Sequence, residues 1–129
     1  MSKWPCTCGH IIADSTDYLP YKGYFRADQD QDEYYSVIDQ LAEFIHAREI
    51  GEQERFFARH YGGKPPTKTD VKDVITSILA RSRSRLERIM YECEQCGRLW
   101  IDYPQGQTML AYHPEHDQRG ILGTIKEEQ

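Results

Sequence analysis

The chain has 129 residues, of which 39% are hydrophobic and 29% are charged, and its formal net charge is −5 at pH 7. This size predicts a single domain over residues 1–129. The acidic balance argues against a general nucleic-acid binder. The sequence contains no run of about 18 apolar residues, so it predicts no helix that spans a membrane. The first residues lack the apolar stretch of a signal peptide, so we expect a cytoplasmic protein in a reducing compartment.

The N-terminal segment, residues 4–12, predicts a short strand followed by a metal-binding knuckle. Cys6 and Cys8 precede Gly9, which can adopt a positive φ and turn backbone N–H groups towards thiolates. Residues 14–27 combine turn-forming side chains with four aromatic residues. We expect this stretch to be irregular and to extend along the core.

Residues 28–85 are predicted to form a helical insertion. An acidic start and apolar residues at helical spacing from Tyr34 to Ile45 predict a first helix. Beyond Gly51 the chain forms either the bent end of the same helix or a separate one. A second helix is predicted to begin with Thr69 as its N-cap. Its apolar stripe consists of Val71, Val74, Ile75, Ile78 and Leu79.

The C-terminal part of the chain favours β-structure around a second knuckle. Strands are predicted over residues 86–93, 98–103 and 108–113, with a turn before the last one. The last segment, residues 117–129, is expected to be a loose tail. With residues 4–12, the stretch 86–114 would form a small antiparallel sheet.

All four cysteines of the chain belong to the two knuckles. In a reducing cytosol, paired cysteines are metal ligands or redox groups more often than structural disulfides. Cys8 and Cys93 are separated by 84 residues. The entropic cost of closing such a loop rises by only about 0.6 kcal/mol for each doubling of its length. Structural zinc contributes on the order of 10–16 kcal/mol. We therefore predict a closed Zn²⁺ site with four thiolate ligands, namely Cys6, Cys8, Cys93 and Cys96.

Two other interpretations of the cysteines stay open. Cys93 and Cys96 could form a redox pair, although this leaves the first pair unexplained, or the cysteines could be buried without a metal. Histidines add a further question, because His10, His113 or His116 could take the place of a cysteine. The last two could also build a second, open metal site, although surface or core histidines are commoner.

These patterns together predict an α+β fold. A small antiparallel, zinc-ribbon-like sheet would hold the two knuckles, and a long two-helix insertion would lie between them in sequence. A four-thiolate site leaves no coordination position for water. The metal is therefore expected to be structural, and we expect no enzyme activity from it.

The chain resembles a group of small bacterial proteins that carry the same paired motifs around a variable helical middle. The resemblance covers residues 4–25 and 91–114. It depends on three stretches: Cys6-Thr7-Cys8-Gly9, the run from Asp14 to Gly23, and the run from Tyr91 to Asp102. The resemblance implies a bacterial cytosolic protein with a zinc-ribbon-like module, and it transfers no catalytic residue.

Three functions are compatible with the sequence. The preferred hypothesis is a non-catalytic binding protein, specifically an immunity protein that blocks a toxin with an acidic, tyrosine-bearing face between Tyr18 and Tyr35. A nucleic-acid-binding regulator is the alternative, and a hydrolase that uses His113 and His116 ranks last. The arginines that could contact phosphates in the second case are Arg81, Arg83, Arg85 and Arg88.

Overall fold

The computed structural model describes residues 2–106 and 108–125 and has an α+β fold. Its elements form two compact units. The sheet unit comprises residues up to Phe25 together with those from Arg88 onward, and the helical unit is Arg26–Glu87. These boundaries lie within a few residues of the predicted insertion, 28–85. The single domain over residues 1–129 stays a prediction.

The sheet unit contains two antiparallel sheets. Strands β1 (Ser2–Pro5) and β2 (Ile11–Asp14) pair as a hairpin. The second sheet has four strands in the order β3, β4, β5, β6. Their bounds are Lys22–Phe25, Arg88–Glu92, Leu99–Tyr103 and Thr108–Tyr112.

Strand β3 lies within residues 14–27, which we predicted to be irregular. Its four residues are too few to show a periodicity of two, and Gly23 weakens the strand signal further. The pairing of Lys22 with Tyr91 and of Phe25 with Arg88 supplies the order that the local sequence lacks. The three strands predicted from the C-terminal part of the chain are all present.

The helical unit contains three helices, and the chain beyond Gly51 forms a separate helix, one of the two alternatives that the sequence left open. They are α1 (Gln31–Glu49), α2 (Gln53–Tyr61) and α3 (Val71–Leu86). Gly51 has a φ of 72°, a left-handed conformation that interrupts the helical hydrogen bonding and separates α1 from α2. Helix α3 begins after Asp70 as its N-cap, one residue later than predicted.

The core of the helical unit is built around a cluster of phenylalanines. Phe44 of α1 is fully buried and contacts Phe56 and Phe57 of α2, with ring centroids 5.3 and 6.2 Å away. Val74 and Ile78 of α3 complete the cluster. Phe44, Val74 and Ile78 are among the apolar positions that the helical periodicity selected.

Among the described residues, no helix is long and apolar enough to cross a membrane. The tail predicted over 117–129 is described only as far as residue 125, and residues 126–129 lie outside the described part. Its described residues form turns rather than helix or strand.

Replacement of Phe44 with alanine should destabilise the protein strongly. The change removes a fully buried ring and leaves a cavity between α1 and α2, so we expect the free energy of unfolding to fall by about 3–5 kcal/mol. Chemical denaturation followed by circular dichroism measures the loss. Ile45→Ala is the matched control, because the neighbouring Ile45 is exposed and its loss should cost less than about 1 kcal/mol. Equal losses would contradict the assigned core.

Candidate metal centre

The four cysteines, distant in sequence, meet at one place in the sheet unit. Their sulfur atoms all lie within 4.8 Å of one another. The Sγ atoms of Cys6 and Cys96 are 3.6 Å apart, as are those of Cys8 and Cys93. All four are free cysteines. Because tetrahedral metal–sulfur bonds of about 2.3 Å place the sulfurs about 3.8 Å apart, the group could hold one metal ion.

The two knuckles differ in cysteine spacing but share two backbone features. The N–H of Cys6 donates to the carbonyl of His10, and the N–H of Cys93 donates to that of Arg98, at 2.7 and 2.8 Å. In each turn a glycine follows the second cysteine with a positive φ, 97° at Gly9 and 80° at Gly97. This is the conformation predicted for Gly9 from the sequence, and it turns backbone donors towards the sulfurs.

At Gly97 a side chain is excluded for a second reason. A Cβ atom there would lie 2.7 Å from Nη1 of Arg119 and 3.2 Å from the carbonyl oxygen of Gln118. The chain after β6 therefore packs directly on the second knuckle.

Local hydrogen bonds favour the thiolate form at part of the cluster. Burial opposes ionisation of Cys96, but hydrogen bonds from the backbone and the guanidinium of Arg98 outweigh it and lower the pKa of this thiol to about 6. Nη1 of Arg98 lies 3.3 Å from Sγ of Cys96. Burial is the largest effect at Cys93 and raises its pKa to about 12. A bound cation would favour the thiolate at each of these positions.

Trp100 of β5 contributes to the surroundings of Cys6. Burial works against the Cys6 thiolate, whereas the backbone of Cys8 and the indole of Trp100 lower its pKa. Trp100 packs against the core formed by Cys6, Ile12, Tyr91 and Cys93. Its indole nitrogen is buried and has no acceptor among the described residues.

The histidines do not join the metal cluster in the described residues. The group that could hold a metal ion there consists of the four cysteines alone. Nδ1 of His113 lies 3.0 Å from the carbonyl oxygen of Pro114. His113 and His116 line an open cavity of about 460 Å³ beside Cys96, without forming the second metal site considered from the sequence.

A half-buried triad that the sequence interpretation missed links the hairpin to the larger sheet. The carboxylate of Asp14 accepts a hydrogen bond from the hydroxyl of Tyr91 and pairs with Nζ of Lys22 at 2.6 Å. These contacts lower the pKa of Asp14, Lys22 having the largest effect. Burial, followed by the hydrogen bond to Asp14, raises the pKa of Tyr91 to about 12. The three residues are separated by up to 77 positions, so no local motif revealed them.

The chain after β6 is fastened to the second knuckle by polar contacts. Nη2 of Arg119 donates to the carbonyl of Gln95, and the N–H of Gly120 donates to Oε1 of Glu92, both at 3.0 Å. Leu122 lies next to Gly23 and Met90, within ordinary packing distance of a Cβ at that glycine. This part of the predicted tail is therefore attached to the sheet unit.

Two of the four arginines proposed to contact phosphates are neutralised within the helical unit. Arg85 pairs with Glu33, and Arg83 pairs with Glu87. Arg81 donates to the carbonyl of His60 and lies over the ring of Tyr61. Arg88 belongs to the sheet unit, where it donates to the carbonyl of Asp102.

Fold and site together define a class of protein: an α+β protein whose two cysteine knuckles, far apart in sequence, form one candidate metal centre. Residues 2–116 match the model of a family described as "Domain of unknown function (DUF8617)". The chain belongs to this family. Comparisons with curated proteins and with solved structures found no match.

Replacement of Cys93 with serine should release the metal and destabilise the protein. The change removes one of four sulfur ligands from a closed site, so we expect the melting temperature to fall and the metal content to approach zero. Elemental analysis and thermal denaturation measure the two effects. His113→Ala is the control and should retain the metal. A Cys93→Ser protein with full metal content and an unchanged melting temperature would refute the site.

The triad predicts a pH-dependent contribution to stability. The pKa of Asp14 is lowered in the folded state, so its contribution is complete above the unfolded pKa of about 3.9 and is lost as the pH falls through the folded value. We therefore expect Asp14→Asn to be less stable than the natural protein at pH 7, with the difference shrinking below about pH 4. Urea denaturation over this pH range measures it. A constant difference would show that the ionised carboxylate is not involved.

Proposed function

We propose that this protein is a non-catalytic, zinc-stabilised binding protein of the bacterial cytosol. Within that class, the hypothesis from the sequence is an immunity protein that neutralises a toxin by covering its active site. The observation that carries the proposal is a row of exposed apolar side chains on α1. The closed sulfur cluster supports it, because four protein ligands leave no coordination position for a substrate.

Zinc is the metal that best fits the site. Four thiolates at tetrahedral separation are the donor set of structural zinc, which has no geometric preference of its own and no redox chemistry. Zinc would hold residues 6–8 against residues 93–96 and thereby close the sheet unit. Its chemistry there would be structural: it binds thiolates and stabilises the fold. Elemental analysis of the purified protein should find one zinc ion per chain.

The binding surface that we propose lies along α1, beside the residues that contact the core. Val37 and Phe44 are buried, whereas Tyr34, Ile38 and Ile45 are 39%, 55% and 45% exposed. These three residues follow each other at intervals of four and seven and therefore share one face of the helix. Large apolar side chains in a contiguous exposed row are a feature of surfaces that bind proteins.

The tyrosines at the start of this surface are held in place before any partner binds. The guanidinium of Arg26 lies 3.8 Å from the centroid of the Tyr34 ring. The rings of Tyr34 and Tyr35 contact each other edge to face at 5.6 Å. Ordered side chains lose less entropy on binding, and tyrosine is common among the residues that dominate binding energy.

Acidic residues at the beginning of α1 supply the charge that would attract a basic partner. Asp28, Asp30 and Asp32 precede or begin the helix, whereas Glu33 pairs with Arg85. A basic active-site cleft, such as that of an enzyme acting on nucleic acid, is complementary to this end of the surface. Tyr18 was included in the predicted face, but it belongs to the sheet unit, so the proposed surface begins with the helical unit.

The other two functions have weaker support. A nucleic-acid-binding regulator needs free basic groups, and two of its four candidate arginines pair with glutamates. A metal-dependent hydrolase needs an open metal site, and His113 and His116 join no metal-binding group in the described part of the chain.

The proposed surface predicts which substitutions impair binding. An immunity protein is expected to bind the protein encoded by the adjacent gene. We expect Ile38→Ala to weaken this binding by about tenfold to a hundredfold, because an exposed isoleucine at the centre of an interface becomes buried there. Isothermal titration calorimetry measures the affinity. Leu79→Ala is the matched control: Leu79 is also exposed, but lies on α3. If both variants bind like the natural protein, the surface is wrong; if the natural protein does not bind at all, the immunity role is wrong.

A further inference from the structure

The sheet unit contains a concave pocket that none of the preceding arguments uses. Its volume is about 570 Å³, within the range of pockets that bind small ligands or inserted side chains. It lies beside the hairpin, on the face of the larger sheet that the hairpin partly covers. Its lining residues are Ser2, Trp4, Ile89, Tyr91, Trp100, Asp102, Thr108 and Met109.

Strand register explains why Ile89, Tyr91, Trp100, Asp102 and Met109 share one face. Tyr91 pairs with Trp100, and Asp102 pairs with Met109. Directly paired residues project to the same side of an antiparallel sheet, and alternate residues of a strand do the same. The hairpin adds Trp4, whose ring meets that of Tyr91 edge to face at 4.7 Å. The pocket thus brings both tryptophans of the chain together.

The pocket has one charged group, the carboxylate of Asp102. In residues 2–106 and 108–125 this carboxylate forms no ion pair or hydrogen bond, and only the backbone carbonyl of Asp102 accepts a bond, from Arg88. The lining includes no basic residue. Lys22 lies over the Tyr91 ring, but its charge is compensated by Asp14 at 2.6 Å. The pocket therefore combines aromatic surfaces with a carboxylate whose oxygens form no ion pair or hydrogen bond in the described part of the chain.

We propose that this pocket accepts an arginine side chain of a partner protein. A guanidinium group stacks on indole rings through its π-system and can form paired hydrogen bonds with a carboxylate. Trp4 and Trp100 would provide the stacking surface, and Asp102 would provide the acceptor. A neutral apolar side chain would fill the space but would leave the carboxylate without a counterion.

The proposal deepens the proposed function and depends on it in one respect, namely that a partner protein presents the arginine. It names a second contact region, separate from the row on α1. Each can fail alone: Ile38→Ala should leave arginine binding at the pocket unchanged, and a substitution of Asp102 should leave the contacts made by α1 unchanged.

The test compares two short glycine peptides, one with a central arginine and one with citrulline, which has the same shape without the charge. Because both tryptophans line the pocket, intrinsic fluorescence reports binding without a label. We expect the arginine peptide to bind about tenfold tighter than the citrulline peptide, since a charge-assisted hydrogen bond is stronger than a neutral one. Added salt should weaken only the arginine peptide.

Asp102→Asn is the decisive variant, and Asp17→Asn, at an exposed position of the same unit, is its matched control. We expect the preference for arginine over citrulline to disappear in the first and to persist in the second. Circular dichroism and metal content verify that both variants are folded. Equal binding of the two peptides by the natural protein, or an unchanged preference in Asp102→Asn, would overturn the proposal. The salt titration of the natural protein decides the matter even if Asp102→Asn does not fold.

Discussion

The contact between the two cysteine knuckles is the constraint on which the sheet unit depends. It joins residues 6–8 to residues 93–96, and the sulfur atoms come within 4.8 Å across 84 intervening residues. The hairpin of β1 and β2 has only four residues per strand, and a two-stranded hairpin is marginally stable by itself. The sulfur cluster and the Asp14–Lys22–Tyr91 triad attach this hairpin to the larger sheet at two separate places. A metal ion in the sulfur cluster would join the hairpin to the larger sheet through coordination bonds.

The candidate metal ligands and the phenylalanine core lie in different units. The helical unit has its own core, in which Phe44 contacts Phe56 and Phe57, and none of the four candidate ligands belongs to it. The sheet unit has a smaller core that includes Cys6 and Cys93 themselves. Because small cores contribute little stability, metal ligands are a common addition to them. The cysteines thus act both as packing residues and as candidate ligands.

The same sheet that positions the cysteines also builds the aromatic pocket. Trp100 belongs to both features: it packs against the core that contains Cys6 and Cys93, and it also lines the cavity. Tyr91 has a similar double position, since its hydroxyl binds Asp14 and its ring lines the pocket. The pocket is therefore shaped by residues that the metal centre and the triad hold in place. Such preorganisation reduces the entropy lost when a ligand binds.

The sequence by itself determined the α+β class, the four candidate ligands, the strands of the C-terminal part and the apolar face of each long helix. These follow from local rules: cysteine spacing, glycine after the knuckle, and apolar residues at a period of 3.6 or 2. Only the tertiary structure decided that Gly51 separates two helices, that Lys22–Phe25 forms a strand, and that Trp4 and Trp100 share a pocket with Asp102. The strand and the pocket depend on pairing between residues distant in the chain, and the break at Gly51 lets Phe56 and Phe57 pack on Phe44. Such pairing leaves no periodic signal in a segment of four residues, and it is set by the closure of the sheet rather than by any one stretch of sequence.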